Sequence, residues 1–476
     1  MQLKHMSRDF TGLLAGLAIL ALSPSAVLAE PPKSASELFT TTKVWTVHLE
    51  FTPEEWARIE PKGGQQGPGV GPGGPGGMRG PAGPGGLGGL LSASFMKGDA
   101  NGDGRLSQEE FAALGRTWFA AWDKSASGKL SAEQLRDGLN AAFPPPAMFG
   151  GPGGGRGPGG PSFNGANGRN GLSAAMGIDF QYVNATVDFD GARIANIAAR
   201  YKGNATFMQS RGTVKRPFKL DLSEYVKGQK LAGQSKINLH NGVTDPSWMN
   251  EVLSYRAFRD AGVPSPRTSY AKLYVTVPGT HDRRYFGLYA IVEEVDSAFV
   301  QDRYASKDGA IFKPSTRQLF EYQGDDWAKY NQQYDPKTKL TPAQIERVIS
   351  FAKLVSNASD EEFRKAAAQY VDLDEFARFM AVNVWLTNLD SILGMGQNFY
   401  VYLNARTNKF EFLPWDLDHS FGQFPMGGSQ EQREKLSIDR PWSGQVKLLE
   451  RMFAVPEFRD KYRARLAEYR KSIFDP

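Results

Sequence analysis

The chain has no cysteine among its 476 residues. Disulfide scaffolding, thiolate metal ligation and cysteine nucleophiles are therefore excluded, and the fold must be held by a packed core. Beyond the first thirty residues no apolar run is long enough to span a membrane. The formal net charge of +5 is small for this length, and no dense Lys/Arg stripe interleaved with aromatics occurs. Nucleic acid is thus not an expected partner. Glycine and proline, with 52 and 29 residues, are instead abundant, and they crowd into two blocks. Gly63 to Gly89 and Pro144 to Gly171 lack a Gly-X-Y period, which excludes collagen and predicts flexible linkers.

The length suggests two or three domains. Met1 to Ala29 reads as a secretory signal peptide, with Lys4 and Arg8 in a basic n-region, Leu13 to Leu22 as the apolar core, and a small-residue cleavage site ending at Ala29. A single arginine there excludes a twin-arginine signal. The expectation is an exported bacterial protein, periplasmic, cell-surface or secreted, whose mature chain does not insert into a membrane.

Between the two blocks lies the most specific local motif. Asp99, Asn101 and Asp103 supply side-chain oxygens at alternate positions, Gly104 the sharp turn, Arg105 a backbone carbonyl, and Glu110 a bidentate closing carboxylate. Ser107 adds an oxygen directly or through water, which completes the calcium loop of an EF-hand. Twenty-four residues on, Asp123, Ser125, Ser127, Lys129 and Gln134 keep the frame of a second loop. Serines stand where acids should be, and Gln134 cannot chelate as a carboxylate, so this loop is expected to pack rather than bind calcium tightly. Phe111, Leu114, Trp118 and Phe119 are expected to form the shared apolar face, with Leu106 and Leu130 paired between the loops.

The flanking sequence has a different pattern. Lys43 to Phe51 alternates as a strand, and Thr52-Pro53-Glu54-Glu55 caps and starts a short helix. Phe180 to Phe189 and Ile194 to Tyr201 alternate around Asp190-Gly191, and the second runs into Lys202-Gly203. A basic residue and glycine at a strand end can bring amides close to phosphate, although an ordinary hairpin turn reads the same way. Asp245 to Ala261 is a predicted amphipathic helix through Trp248, Val252, Leu253, Tyr255 and Phe258. Lys313 ends the apolar strand from Gly309 and is a candidate phosphate contact or a solvated end residue. Helices are predicted over 343–355, 360–370 and 373–387, and again over the tail from Val446 to Ile473.

The segment from Trp385 to Gly422 organises the rest. Its two alternating flanks surround Asn404 to Asn408, which predicts a hairpin. Asp390 and Asn398 then lie before or at the start of one strand, and Asp416 and Asp418 just past the other. A hairpin brings its ends together, so these groups should converge at one rim. Convergent hard oxygen ligands beside a lone carboxylate suit Mg²⁺-dependent phosphoryl transfer. The plain alternative is a turn with solvated acids.

Taken together, these residues resemble the CotH kinase family. The resemblance rests on Arg200-Tyr-Lys202-Gly203-Asn204, Arg216-Pro-Phe-Lys219, Gly287-Leu-Tyr289 with Glu293-Glu294, Ile311-Phe-Lys313, Asn388-Leu-Asp390, Asn398-Phe-Tyr400 and Pro414-Trp-Asp416-Leu-Asp418. It implies an α+β, atypical protein-kinase-like domain with an inserted all-α EF-hand module. The expected organisation is 1–29 signal peptide, 30–61 first part of the kinase-like domain, 62–89 linker, 90–143 calcium module, 144–177 linker and 178–476 the main part. By resemblance, Asp390 is the catalytic aspartate, and Lys313, Arg200, Lys202 and Asn204 face the nucleotide. Asn398, Asp416 and Asp418 are the metal ligands, with Asp416 against Asp418 as the principal one left open. No Gly-x-Gly-x-x-Gly loop is present, the Asp390-to-Asn398 spacing is longer than usual in protein kinases, and Asp-Leu-Asp replaces Asp-Phe-Gly. The implied cofactors are ATP with Mg²⁺ or Mn²⁺, plus Ca²⁺, and the implied partner is a protein with Ser/Thr acceptors. AMP transfer from the same site and a calcium-binding matrix scaffold are the alternative readings.

Overall fold

The computed structural model describes residues 30–61, 95–123, 125–131, 134–135, 138–139, 142, 170–175 and 177–474. The expected signal peptide and most of both Gly/Pro blocks lie outside the described residues. Among the described residues no helix is long and apolar enough to cross a membrane.

Seven strands close a barrel: β1 (Val44–Glu50), β2 (Val183–Phe189), β3 (Ala192–Tyr201), β4 (Phe218–Asp221), β5 (Lys236–His240), β6 (Thr268–Val277) and β7 (His281–Val292). β1 pairs antiparallel with β2, although the EF-hand sequence separates them, and parallel with β6. Barrel closure removes the exposed edges that seven separate strands would present. Thr52 caps the helix Pro53–Ile59 as expected, its hydroxyl accepting from the Glu55 amide.

Period-two alternation gives the barrel wall two chemistries. Ala199, Tyr201, Phe218, Leu220, Ile237 and Leu239 point into the barrel core. Their neighbours Arg200, Lys219 and Asn238 lie opposite one another across β3, β4 and β5, and so share the outer face. Along β7, Tyr289 and Ile291 join the barrel core while Val292 joins a second, larger core. The polar outer face of the barrel is therefore turned towards the other lobe.

That lobe is built around a three-stranded sheet, β8 (Ala310–Phe312), β9 (Phe399–Leu403) and β10 (Phe410–Pro414), with β9 central. All thirteen strand residues are buried, as expected of strands covered on both faces. Helices Pro342–Asn357, Asp360–Tyr370 and Leu373–Trp385 cover the sheet together with Lys447–Phe453 and Pro456–Tyr469. The predicted tail helix is thus two helices: Pro456 opens the second, because it cannot continue the first.

The helix predicted from Asp245 starts five residues later, at Asn250. Asp245 ties up the preceding turn, accepting from the amides of Ser247 and Asn250. Trp248 consequently falls in the turn at φ 57 and is 49% exposed instead of packing on the apolar face. Leu253 is exposed too, whereas Val252, Tyr255 and Phe258 are buried.

In the EF-hand stretch, the helix Gln108–Trp122 follows the first loop. Glu110 closes it, one oxygen accepting from the amides of Ala100 and Asn101 and the other from Ser107. Asp99 accepts from the amides of Gly102 and Gly104. The second loop repeats this wiring, with Asp123 accepting from Ser127 and Gly128, and Gln134 from the Ser131 amide. Phe111 and Phe119 do not join a common buried face. Phe111 stacks on Phe95 yet stays 54% exposed, and Phe119 is also exposed.

Candidate active site

β9 and β10 form the predicted hairpin, and its open end brings the expected residues together. Pro414 pairs with Phe399, and the Trp415 amide donates to the Asn398 carbonyl at 3.2 Å. Asn398 and Asp416 flank this last rung in left-handed conformations, φ 60 and 55. Asn and Asp tolerate that region better than most residues, so the ladder can end on both strands at once. Tyr255, fully buried in the helix Asn250–Asp260, accepts the Asp416 amide at 3.0 Å and fixes the turn.

The long spacing between Asp390 and Asn398 is taken up by a pinned loop. Gly396, at φ 68, lies so close to the Thr316 carbonyl that a Cβ would stand 2.4 Å from it. Its own carbonyl accepts the Thr316 amide at 2.9 Å. Asp390 is buried behind this loop, with Gln397 donating to one carboxylate oxygen and Asn398 to the other, both at 3.0 Å. Burial, reinforced by Asp418 and Asp416, pushes its carboxyl well above the usual range.

Asp418 is buried and accepts from the Thr244 hydroxyl. Burial and the neighbouring Asp416 raise its carboxyl to about 7. Among the described residues no ion pair forms at Asp390, Asp416 or Asp418, and the Asp416 carboxylate accepts no hydrogen bond. Asp416 thus adds to the proton affinity of both Asp390 and Asp418. Hard oxygen donors of this kind suit Mg²⁺ or Mn²⁺.

Two cations lie near these acids, Lys202 just past barrel strand β3 and Lys313 just past β8 of the second lobe. Lys202 and Lys313 each carry an ammonium that makes no carboxylate pair among the described residues. Both lie over the Trp415 ring, at 5.1 and 5.3 Å from its centroid. Burial lowers Lys202 to about 7 and Lys313 to about 8. Arg200 shares the same outer face but lies over Tyr182 and donates to the Tyr201 carbonyl. Asn204 is exposed, its side-chain oxygen accepting the Ser173 amide at 3.2 Å. Of the residues singled out from sequence, Lys202, Lys313, Asp390, Asn398, Asp416 and Asp418 converge, whereas Arg200 and Asn204 stand at the margin.

The structure adds residues that the sequence reading did not assign. Lys219 and Glu294 form an ion pair at 2.5 Å, and Asn238 donates to the other Glu294 oxygen at 2.7 Å. Burial opposes the Glu294 charge, yet Lys219 overrides it and holds the carboxyl at about 2. His240 and Glu251 pair at 2.7 Å. A His240 nitrogen and one oxygen each of Glu251 and Asp416 all lie within 4.8 Å of one another. Lys219 and Glu294 sat in recognisable motifs, and strand alternation from Lys202 would have put Lys219 on its face. His240 and Glu251 gave no such signal, since they lie on different elements and meet only in space.

A family model described as CotH kinase protein matches residues 199–476, and one described as EF hand matches residues 91–114. The chain is 26% identical over 266 residues to Inner spore coat protein H of Bacillus subtilis, covering 52% of this chain and 66% of that protein. It is 21% identical over 199 residues to Invasin CotH7 of Rhizopus delemar, covering 41% of this chain and 32% of that one. The alignment thus spans just under two thirds of the first relative and about a third of the second. The kinase-family match covers more than half of the chain, and the folded site residues lie within it. The chain belongs to the CotH kinase protein family and has an α+β, kinase-like fold with an inserted EF-hand module.

Proposed function

We propose that this protein is an exported, divalent-metal-dependent phosphotransferase that moves the γ-phosphoryl group of ATP to Ser/Thr hydroxyls of a protein. The observation that carries this reading is the meeting of opposite charges around Trp415. Two half-buried ammoniums without carboxylate partners face three carboxylates without cation partners. Unpaired charges are costly in such a setting. A metal–nucleotide complex supplies both missing partners, phosphate oxygens for the lysines and a cation for the acids.

In this reading, Asp416 and Asp418 hold the metal together with the Asn398 side-chain oxygen, which is left over once its amide donates to Asp390. The bound cation supplies charge neutralisation on the phosphoryl oxygens. Lys202, from the barrel, and Lys313, from the end of β8, bind the phosphate chain. Asp390 orients the acceptor hydroxyl and takes its proton as the new oxygen–phosphorus bond forms and the bond to the departing ADP oxygen breaks. Gln397 and Asn398 fix both Asp390 oxygens, so the carboxylate is oriented before the acceptor arrives. The first EF-hand loop binds one Ca²⁺ through Asp99, Asn101, Asp103, Glu110 and the Arg105 carbonyl.

The test uses the purified chain with Mg²⁺ or Mn²⁺ and ATP labelled at either the γ or the α position, beside Asp390→Asn. Label from the γ position on the protein or a generic acceptor, lost in the variant, is the expected result. Label from the α position would establish AMP transfer instead. If neither label moves and no nucleotide binds, the calcium-binding scaffold is the better account.

A further inference from the structure

Lys202 stands just past β3, His240 ends β5, and Glu251 lies in the first turn of the helix Asn250–Asp260. They are far apart in sequence and form one chain of contacts. The Lys202 ammonium donates to Asn238 Oδ1 at 3.1 Å and meets His240 Nε2 at 2.5 Å. On the other side of the imidazole, Nδ1 is 2.7 Å from Glu251 Oε1. An ammonium can only donate, so Nε2 must accept. Nδ1 then carries the ring proton and donates to Glu251 Oε1. One tautomer satisfies the whole chain, and it is the neutral imidazole.

The arrangement leaves one Lys202 N–H without an acceptor among the described hydrogen bonds. The ammonium lies over Trp415, and the Trp415 ring also meets His240 edge-on, with centroids 5.7 Å apart. The ammonium also feels the Asp416 carboxylate, which follows Trp415 in sequence. A lysine on a flexible four-carbon stem would otherwise sample many positions.

We propose that Glu251 and His240 are positioning residues that hold the Lys202 ammonium, with its remaining N–H directed at the phosphate chain of a bound nucleotide. This rests on the reading that Lys202 contacts phosphate. The same side chains could instead be taken as a divalent-cation site with Asp416, since their donor atoms cluster. Both imidazole nitrogens are engaged, however, and Lys202 already provides the cation at Nε2. The positioning role accounts for the hydrogen bonds at both His240 nitrogens.

The experiment measures the affinity of the full chain for a fluorescent ATP analogue in the presence of Mg²⁺. Lys202→Met, His240→Phe, Glu251→Leu, Glu251→Gln and the double variant Lys202→Met/His240→Phe are compared, with thermal melts to verify folding. Loss of a hydrogen bond to a charged group predicts that His240→Phe and Glu251→Leu each weaken binding about ten- to hundredfold. Glu251→Gln, whose side-chain oxygen can still accept from Nδ1, should lose less. His240→Phe should add nothing once Lys202 is already methionine, because its effect passes through that lysine.

If the His240 and Lys202 effects instead add independently, the positioning role is wrong while the phosphate contact stands. Unchanged affinity in Lys202→Met would overturn the phosphate reading itself. A nucleotide-free Mn²⁺ titration separates the metal alternative: a site lost in His240→Phe and retained in Lys202→Met would make His240 a ligand. Should His240→Phe not fold, the comparison of Glu251→Leu with Glu251→Gln decides the same question.

Discussion

Asp416 concentrates the site's chemistry in one residue. It ends the hairpin in a left-handed turn, and its carboxylate raises the proton affinity of Asp390, Asp418 and Glu251. Such a residue serves function at the expense of stability. Asp416→Asn keeps the size and the tolerance of a positive φ but removes the charge. Phosphotransfer should fall by about a hundredfold to a thousandfold, the usual cost of losing a group that stabilises transition-state charge. In EDTA at pH 8 the variant should nevertheless melt above the parent, because repulsion within the acid cluster is relieved. A lower melting temperature under those conditions would mean that Asp416 is a structural turn residue first.

At the scale of elements, the hairpin is anchored to the helix Leu373–Trp385 by a buried carboxylate. Glu375 accepts the Phe412 amide at 3.0 Å, and its other oxygen has no partner. Burial, with Glu411 close by, raises its carboxyl well above the ordinary value. The folded state therefore keeps a proton that the unfolded chain releases near the usual glutamate pKa of about 4.3. Stability from this group is greatest below that pH and declines as pH rises towards the folded-state pKa. Glu375→Gln imitates the protonated form, so melts across pH should show the variant gaining over the parent at pH 8, by roughly a few degrees, and matching it near pH 4.

The elements were largely legible because hairpins and amphipathic helices announce themselves by local periodicity. The strands on either side of Asn404 to Asn408 and the helix Asp360–Tyr370 fall where alternation and capping residues put them. Trp248 was misread because an apolar residue at helical spacing cannot reveal that Asp245 has already claimed the preceding amides for a turn.

At the scale of the whole molecule, the cleft joins a barrel face rich in cations to a hairpin rim rich in acids. Protons and metal compete for the raised carboxylates, and Asp418, raised to about 7, loses its proton across the neutral range. The thermal stabilisation given by Mn²⁺ without nucleotide should therefore grow between about pH 5.5 and 8. A shift independent of pH would place the metal on carboxylates of ordinary acidity. The EF-hand stretch is tested separately by calorimetry with Ca²⁺, which should show one site, lost in Glu110→Gln. Two sites would mean that the Asp123 loop binds despite its serines.

The sequence alone determined what depends on neighbours along the chain. The EF-hand ligand frame, the alternating strands, the hairpin ends and the lysine after an apolar strand are all local patterns with local physical causes. Only the tertiary structure decided which side chains share a space. Barrel closure turned one face of β3, β4 and β5 towards the second lobe, and this brought Lys202 to His240 and Glu251, and Lys219 to Glu294. Those pairings span between 11 and 75 positions in sequence. No periodicity encodes them, because side chains that far apart meet through the packing of whole elements.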